Sequence, residues 1–213
     1  MFRSILILSV MASFAGWVRA DFMIDPNPDG AKFFNGDANK DVSSFTGNVG
    51  GQNSGPLVTV TTVGNVDTGA GFSTIVPIKD GTLTSVTFTP ADDLLFDSFA
   101  FRGQLLADAG GTVTVVVVNQ LDVSQTFTFS GLPSAPADFA GPDGLGIIAV
   151  ALSGQTIKSV TLLSDFKEEK QNHFGFAPGG QPTPGPGIPV PAAVWGGLGL
   201  LGLLGVRQTM RRA

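Results

Sequence analysis

Short runs rich in valine, threonine and phenylalanine recur along the middle of this chain, each closed off by glycine, aspartate, asparagine or proline. They are Leu57–Val63, Phe72–Ile78, Leu83–Thr89, Leu94–Phe101, Thr112–Val118, Gln125–Phe129, Ile147–Leu152, Ile157–Leu163 and His173–Phe176. Such residues suit a pleated, half-buried surface, and runs of this length between turn residues read as strands. Several alternate: Val86 and Phe88 against Thr87 and Thr89, and Phe127 and Phe129 against Thr126 and Thr128. Alternation with a period of two puts one face on a core and the other in solvent. Asp80–Gly81 and Gly110–Gly111 have the composition of hairpin turns. No segment carries the apolar spacing of a three-turn amphipathic helix. Nine strands at this spacing predict an all-β domain, a two-sheet β-sandwich of jelly-roll or immunoglobulin-like type.

Residues 21–177 are enough for one such domain with a sizeable core. The chain has no cysteine, which excludes disulfides and thiolate zinc sites. All 17 acidic residues fall between Asp21 and Glu169, while Arg3, Arg19, Arg207, Arg211 and Arg212 lie near the two ends. The stretch between therefore carries seven basic residues against 17 acids, a formal charge of −10. That balance argues against nucleic acid or anionic lipid as a partner and is compatible with divalent cations or simple solubility.

Both ends read as targeting segments. Arg3 opens a charged region, Ser4 to Trp17 is apolar, and Val18 and Ala20 give a small-residue cleavage pattern, so residues 1–20 are expected to be a signal peptide cut after Ala20. Residues 178–187, P-G-G-Q-P-T-P-G-P-G, form a linker too broken to pack. Residues 188–213 follow: the motif 188–193, an uncharged segment 192–206 and a basic tail 207–213. As a helix, 192–206 spans roughly 22 Å against a bilayer core of roughly 30 Å, so it is a short membrane helix. Trp195 suits the outer interface, and Arg207, Arg211 and Arg212 suit the cytoplasmic side as a stop.

The order Ile188, Pro189, Val190, Pro191, Ala192, Ala193, Trp195, then a glycine-leucine helix, then arginines, resembles the PEP-CTERM sorting signal of Gram-negative bacteria in its V-P-L-P-A-A-x-W form. Ile188 stands for valine and Val190 for leucine, and there is no L-P-x-T-G of the Gram-positive type. The resemblance covers about an eighth of the chain. It implies processing by a membrane protease-transpeptidase of the exosortase type, and association with exopolysaccharide and biofilm matrix. F-A-F-R-G-Q-L at Phe99–Leu105 and F-K-E-E-K-Q at Phe166–Gln171 are similar, more loosely, to segments of proteins so tagged, and no activity travels with them.

Signals of catalysis are weak. The sole histidine is His173, in a strand-like run, and no serine sits in G-x-S-x-G. Glu168 and Glu169 are adjacent, as are Asp92 and Asp93, so each pair faces opposite ways in a strand. A hydrolase would need acids such as Asp97, Asp165 or Glu168 gathered from different strands. Arg102 reads either as a solvated charge at a strand end or as a partner of Glu168 or Glu169. Sugar binding ordinarily uses aromatic platforms, yet the chain has no tyrosine and its tryptophans, Trp17 and Trp195, lie in the targeting segments. The remaining phenylalanines read mostly as core.

Calcium is the best small-site candidate. Asp25, Asn27 and Asp29 match the first half of an EF-hand loop, and Asp37, Asn39 and Asp41 repeat the spacing twelve residues on. Against it, Gly36 stands where a bidentate glutamate belongs, Pro26 and Pro28 stiffen the first copy, and Val42 replaces the turn glycine in the second. An acidic, turn-rich N-terminal segment explains the same residues. The leading expectation is a non-enzymatic exported protein of the cell surface or matrix; a calcium- or polysaccharide-binding module is the alternative, and an exported hydrolase the third reading.

Overall fold

A computed structural model of the chain describes residues 22–25, 30–78, 81–106, 111–139, 145–149 and 154–178. Ala20, Asn27, Asp29 and the whole of the linker beyond Pro178, sorting motif, membrane segment and basic tail lie outside the described residues, as do Asp80 and Gly110 of the expected hairpin turns.

The described residues are all-β, with twelve strands in one extended sheet and no helix. They are β1 (Phe22–Asp25), β2 (Ala31–Asn35), β3 (Val42–Val49), β4 (Leu57–Thr68), β5 (Gly71–Phe72), β6 (Thr74–Pro77), β7 (Leu83–Pro90), β8 (Phe96–Leu105), β9 (Val113–Asn119), β10 (Ser124–Phe129), β11 (Leu145–Ala149) and β12 (Ile157–Phe176).

Two long strands change partners partway. The first half of β12 lies between β7 and β9, with Leu162 opposite both Val86 and Val115. Its register slips between Leu163 and Phe166. Its second half meets β6 at Glu169 and Ile75, and β2 at His173 and Lys32; along β8 its partners run from Gln104 opposite Glu168 to Phe96 opposite Phe176. Likewise β4 pairs with β3 and β7 over Leu57–Thr62, then with β6 over Val66–Thr68. Gly64 lies between the two halves at φ 85°, a left-handed conformation that glycine adopts without strain.

These switches fold the sheet over its own apolar face. Phe88 on β7 has no ladder bond to β2 or β8, yet its ring lies 5.5 Å from Phe99 and Phe174 and 6.3 Å from Phe33. The core takes Val58, Val60, Val86, Val115, Val117 and Leu162 from β4, β7, β9 and the first half of β12, and Phe33, Phe96, Phe99, Phe101, Phe166 and Phe174 from β2, β8 and the second half of β12. Val86 and Phe88 are buried as their alternation predicts, and Thr87 on the outside shares a hydroxyl hydrogen bond of 2.9 Å with Thr161. Phe127 and Phe129 are only partly buried because β10 is an edge strand paired with β9 alone.

The strand list differs from expectation in three places. The N-terminal segment contains β1, β2 and β3: β1 and β2 are only four and five residues long, and the apolar residues of β3 are spaced by serine, threonine, glycine and asparagine. Phe72–Ile78 is broken at Ser73, whose N–H reaches the Phe33 carbonyl and whose carbonyl accepts from Gln171. Ile157–Leu163 and His173–Phe176 belong to one strand, because Ser164–Asn172 between them is paired along β8 and β6 despite its polar composition.

Candidate binding face

Strand β2 begins the site with two adjacent phenylalanines. A strand sends neighbours to opposite faces, so Phe33 and Phe34 cannot both enter the core. Phe33 is fully buried, and Phe34 lies on the outside with its ring 5.9 Å from Phe72. Phe72 in turn lies 5.5 Å from the His173 ring, brought beside β2 by the pairing of His173 with Lys32. The Lys32 ammonium stands 5.1 Å from the centre of the Phe72 ring, within cation–π range.

Arg102 extends this row. Its guanidinium donates to Gln171 Oε1 at 2.8 Å. Gln171 is held at φ 56°, where its N–H meets the Ser73 carbonyl at 2.9 Å. The arginine is thus anchored to the same turn of β12 that carries His173. Burial, followed by the charges of Arg102 and Lys32, holds the His173 pKa below the ordinary imidazole value. Beyond Arg102 the face becomes charge-balanced: Lys170 bridges Glu168 at 2.7 Å and Asp138 at 3.0 Å, and Gln104 donates to Asp138 at 2.7 Å. Glu169, next in sequence to Glu168, points the other way and accepts from Asn172 inside the fold.

The result is a half-exposed aromatic row, Phe34, Phe72 and His173, flanked by two cations and by the amide of Gln171. Chemically it offers apolar ring faces and several hydrogen-bond donors, two of them charged. Sequence reading missed it by assigning the phenylalanines to the core, although the doublet Phe33–Phe34 in a strand was a signal that one of them must emerge.

The calcium candidates occupy other places. Asp25 ends β1 opposite Gly146. Asp37, Asn39 and Asp41 form the turn between β2 and β3, and that turn is tied to the far end of β4. Asp67 accepts from the Asp41 N–H at 3.0 Å and pairs with Lys40 at 3.1 Å; Asn65 donates to the Asp41 carboxylate at 2.8 Å; the Asn39 N–H donates to the Thr68 hydroxyl at 3.0 Å. The Asp41 N–H, then Lys40, pull the Asp67 pKa below the usual carboxylate value. Asp41 sits at φ 55°, which aspartate tolerates better than most residues. Among the described residues, no three of His, Cys, Asp or Glu converge to hold a metal ion.

The acids proposed for hydrolysis are spread out. Glu168 stands opposite Gln104, seven positions along β8 from Asp97, or roughly 23 Å at the usual strand rise. Carboxylate pairs that cleave glycosides sit roughly 5 to 10 Å apart. Asp165 lies on an exposed part of β12. Asp92 and Asp93 line a shallow cleft of about 560 Å³ with Gln120 and Lys158, and Lys158 is paired with Asp122. Compared with known proteins, the chain matches no family model, no curated protein and no solved structure.

Proposed function

We propose that this chain is a non-enzymatic, exported protein of the cell surface or extracellular matrix, and that its β-domain holds polysaccharide on the outward face of β2, β5 and β12. In this reading the folded-over sheet is a two-sheet sandwich of jelly-roll or immunoglobulin-like type. Residues 1–20 direct export, and an exosortase-type enzyme processes the tail at Ile188–Ala193.

The observation that carries the binding role is the row Phe34–Phe72–His173 beside Lys32 and Arg102. Phenyl faces accept the C–H face of a sugar ring, while guanidinium, ammonium and amide groups donate to hydroxyl or carboxylate oxygens. The domain as a whole is acidic, but charges more than about 8 Å away are largely screened at physiological ionic strength. Locally the two cations decide the preference, which favours sugars bearing carboxylates. The non-enzymatic part rests on the setting of His173, packed against an aromatic ring and between cations, and on the separation of Asp97 from Glu168.

Retardation of the protein in gels containing polygalacturonate or neutral dextran tests the binding role. Retardation by polygalacturonate that weakens with salt, and falls roughly tenfold in Phe72→Ala, is the expected result. Equal mobility in both gels and in the variant would remove it.

A further inference from the structure

Behind the aromatic row lies a buried polar cluster. Asn35, Ser73, Glu169 and Asn172 are each fully buried, where β2, the β5–β6 junction and β12 meet. Main-chain bonds fix them as neighbours: Ser73 N–H donates to Phe33 at 3.0 Å, and the Ser73 carbonyl accepts from Gln171, the residue before Asn172, at 2.9 Å. Asn35 Nδ2 donates to the Gly69 and Thr74 carbonyls at 3.0 and 3.5 Å, flanking Ser73. Asn172 Nδ2 donates to Glu169 Oε2 at 2.9 Å.

Every amide nitrogen of the group is thus used, and what remains is a set of oxygens. Asn35 Oδ1, Ser73 Oγ, Glu169 Oε1 and Asn172 Oδ1 have no hydrogen-bond partner. Native interiors rarely leave one such atom unsatisfied, and four of one kind in one place call for a common partner. The nearby lysine does not supply it, since Lys170 is committed to Glu168 and Asp138 on the outer face.

We propose that these four oxygens form an internal site for a single monovalent metal cation, sodium or potassium. The donor set is all hard oxygen, without the nitrogen or sulfur that soft and borderline metals prefer. With the cation in place of the Glu169 proton, one carboxylate with three neutral oxygens balances one positive charge. A calcium ion would carry an uncompensated charge into the core. The ion would tie together three strands whose next residues, Phe34, Phe72 and His173, form the outward row. This site stands on the buried oxygens alone and does not depend on the polysaccharide reading.

The test is the melting temperature of the purified full-length protein in choline, sodium, potassium and calcium chlorides at equal ionic strength. A ligand bound only by the folded form raises it, and a rise of about 5 °C in sodium or potassium over choline, saturating with concentration, is expected. Glu169→Gln should abolish the rise, and Glu168→Gln on the outer face should keep it. The same melting temperature in choline, sodium and potassium, or a rise undiminished in Glu169→Gln, overturns the site. A rise with calcium alone overturns the monovalent assignment. Should Glu169→Gln fail to fold, crystals of the unaltered protein soaked in thallium(I) give a second readout. An anomalous peak among the four oxygens supports the site, and its absence there overturns it.

Discussion

Phe34 and Asn35 are neighbours on β2 that face opposite sides of the sheet: the Phe34 ring lies 5.9 Å from Phe72 outside, and Asn35 is fully buried with its amide 3.0 Å from the Gly69 carbonyl. The same inversion separates Phe72 from Ser73 and His173 from Asn172. Three adjacent pairs therefore build an outer aromatic row and an inner polar cluster from the period of two that governs any strand.

The doublet Phe33–Phe34 gives the sharpest mutational contrast. Phe33 is fully buried, with ring contacts to Phe88 and Phe174, so Phe33→Ala should cost about 3–5 kcal/mol of unfolding free energy. Phe34→Ala should cost about 1 kcal/mol or less and instead weaken polysaccharide retention. Urea unfolding of both variants checks the pair, and equal losses would mean that Phe34 is a core residue.

Glu169 sets a pH dependence whose sign is unusual for a carboxylate. Burial pushes its pKa from 4.5 up to about 8, with the Asn172 hydrogen bond opposing. The folded form then holds the proton more tightly than the unfolded chain. Its contribution is fully present below about pH 4.5 and is gone once the pH has risen through about 8. His173 acts in the opposite sense. Its depressed pKa stabilises the fold above pH 6.5, and that contribution is lost as the pH falls below it. Between pH 6.5 and 8, in choline buffer without metal cations, stability should fall by roughly 1 kcal/mol per pH unit. Glu169→Gln should be flat over that window. A flat profile for the unaltered protein would show that Glu169 does not titrate there.

The fold was largely readable where strands are apolar. Leu83–Thr89, Thr112–Val118 and Gln125–Phe129 lie within one or two residues of β7, β9 and β10, because valine, threonine and phenylalanine are concentrated there. The sequence was opaque where polar residues are paired by the sheet: β3 carries few apolar side chains, and Lys167–Gln171 is charged and polar although it lies in central β12. The binding face shares this difficulty. Its residues are Lys32, Phe34, Phe72, Arg102, Gln171 and His173, and only the folded ladder brings β12 against both β2 and β8.

Gln125 suggests a guard on the sheet edges. Its side chain accepts from the Phe22 N–H at 3.1 Å and donates to the Phe22 carbonyl at 3.4 Å, joining the edge strands β10 and β1 without a ladder. Open edges invite pairing with another chain. Gln125→Ala should therefore increase self-association in sedimentation velocity at high protein concentration. A variant as monomeric as the parent would show that the edges need no such guard.

The Asp37–Asp41 turn has a structural explanation in its bonds to Asp67, Asn65 and Thr68. Asp67→Ala should speed hydrogen exchange at the Asp41 amide, and millimolar calcium should leave the melting temperature unchanged. A rise with calcium that is lost in Asp37→Ala would restore the metal reading of that loop.

Delivery to the cell surface is the claim on which the functional reading depends, and the intact mass of the protein recovered from host cells and medium tests it most directly. A chain beginning at Asp21 and ending between Pro189 and Ala193, with or without an added group, is the expected result. A mass running on to Ala213 would contradict it, leaving a plain membrane anchor and no sorting by the tail.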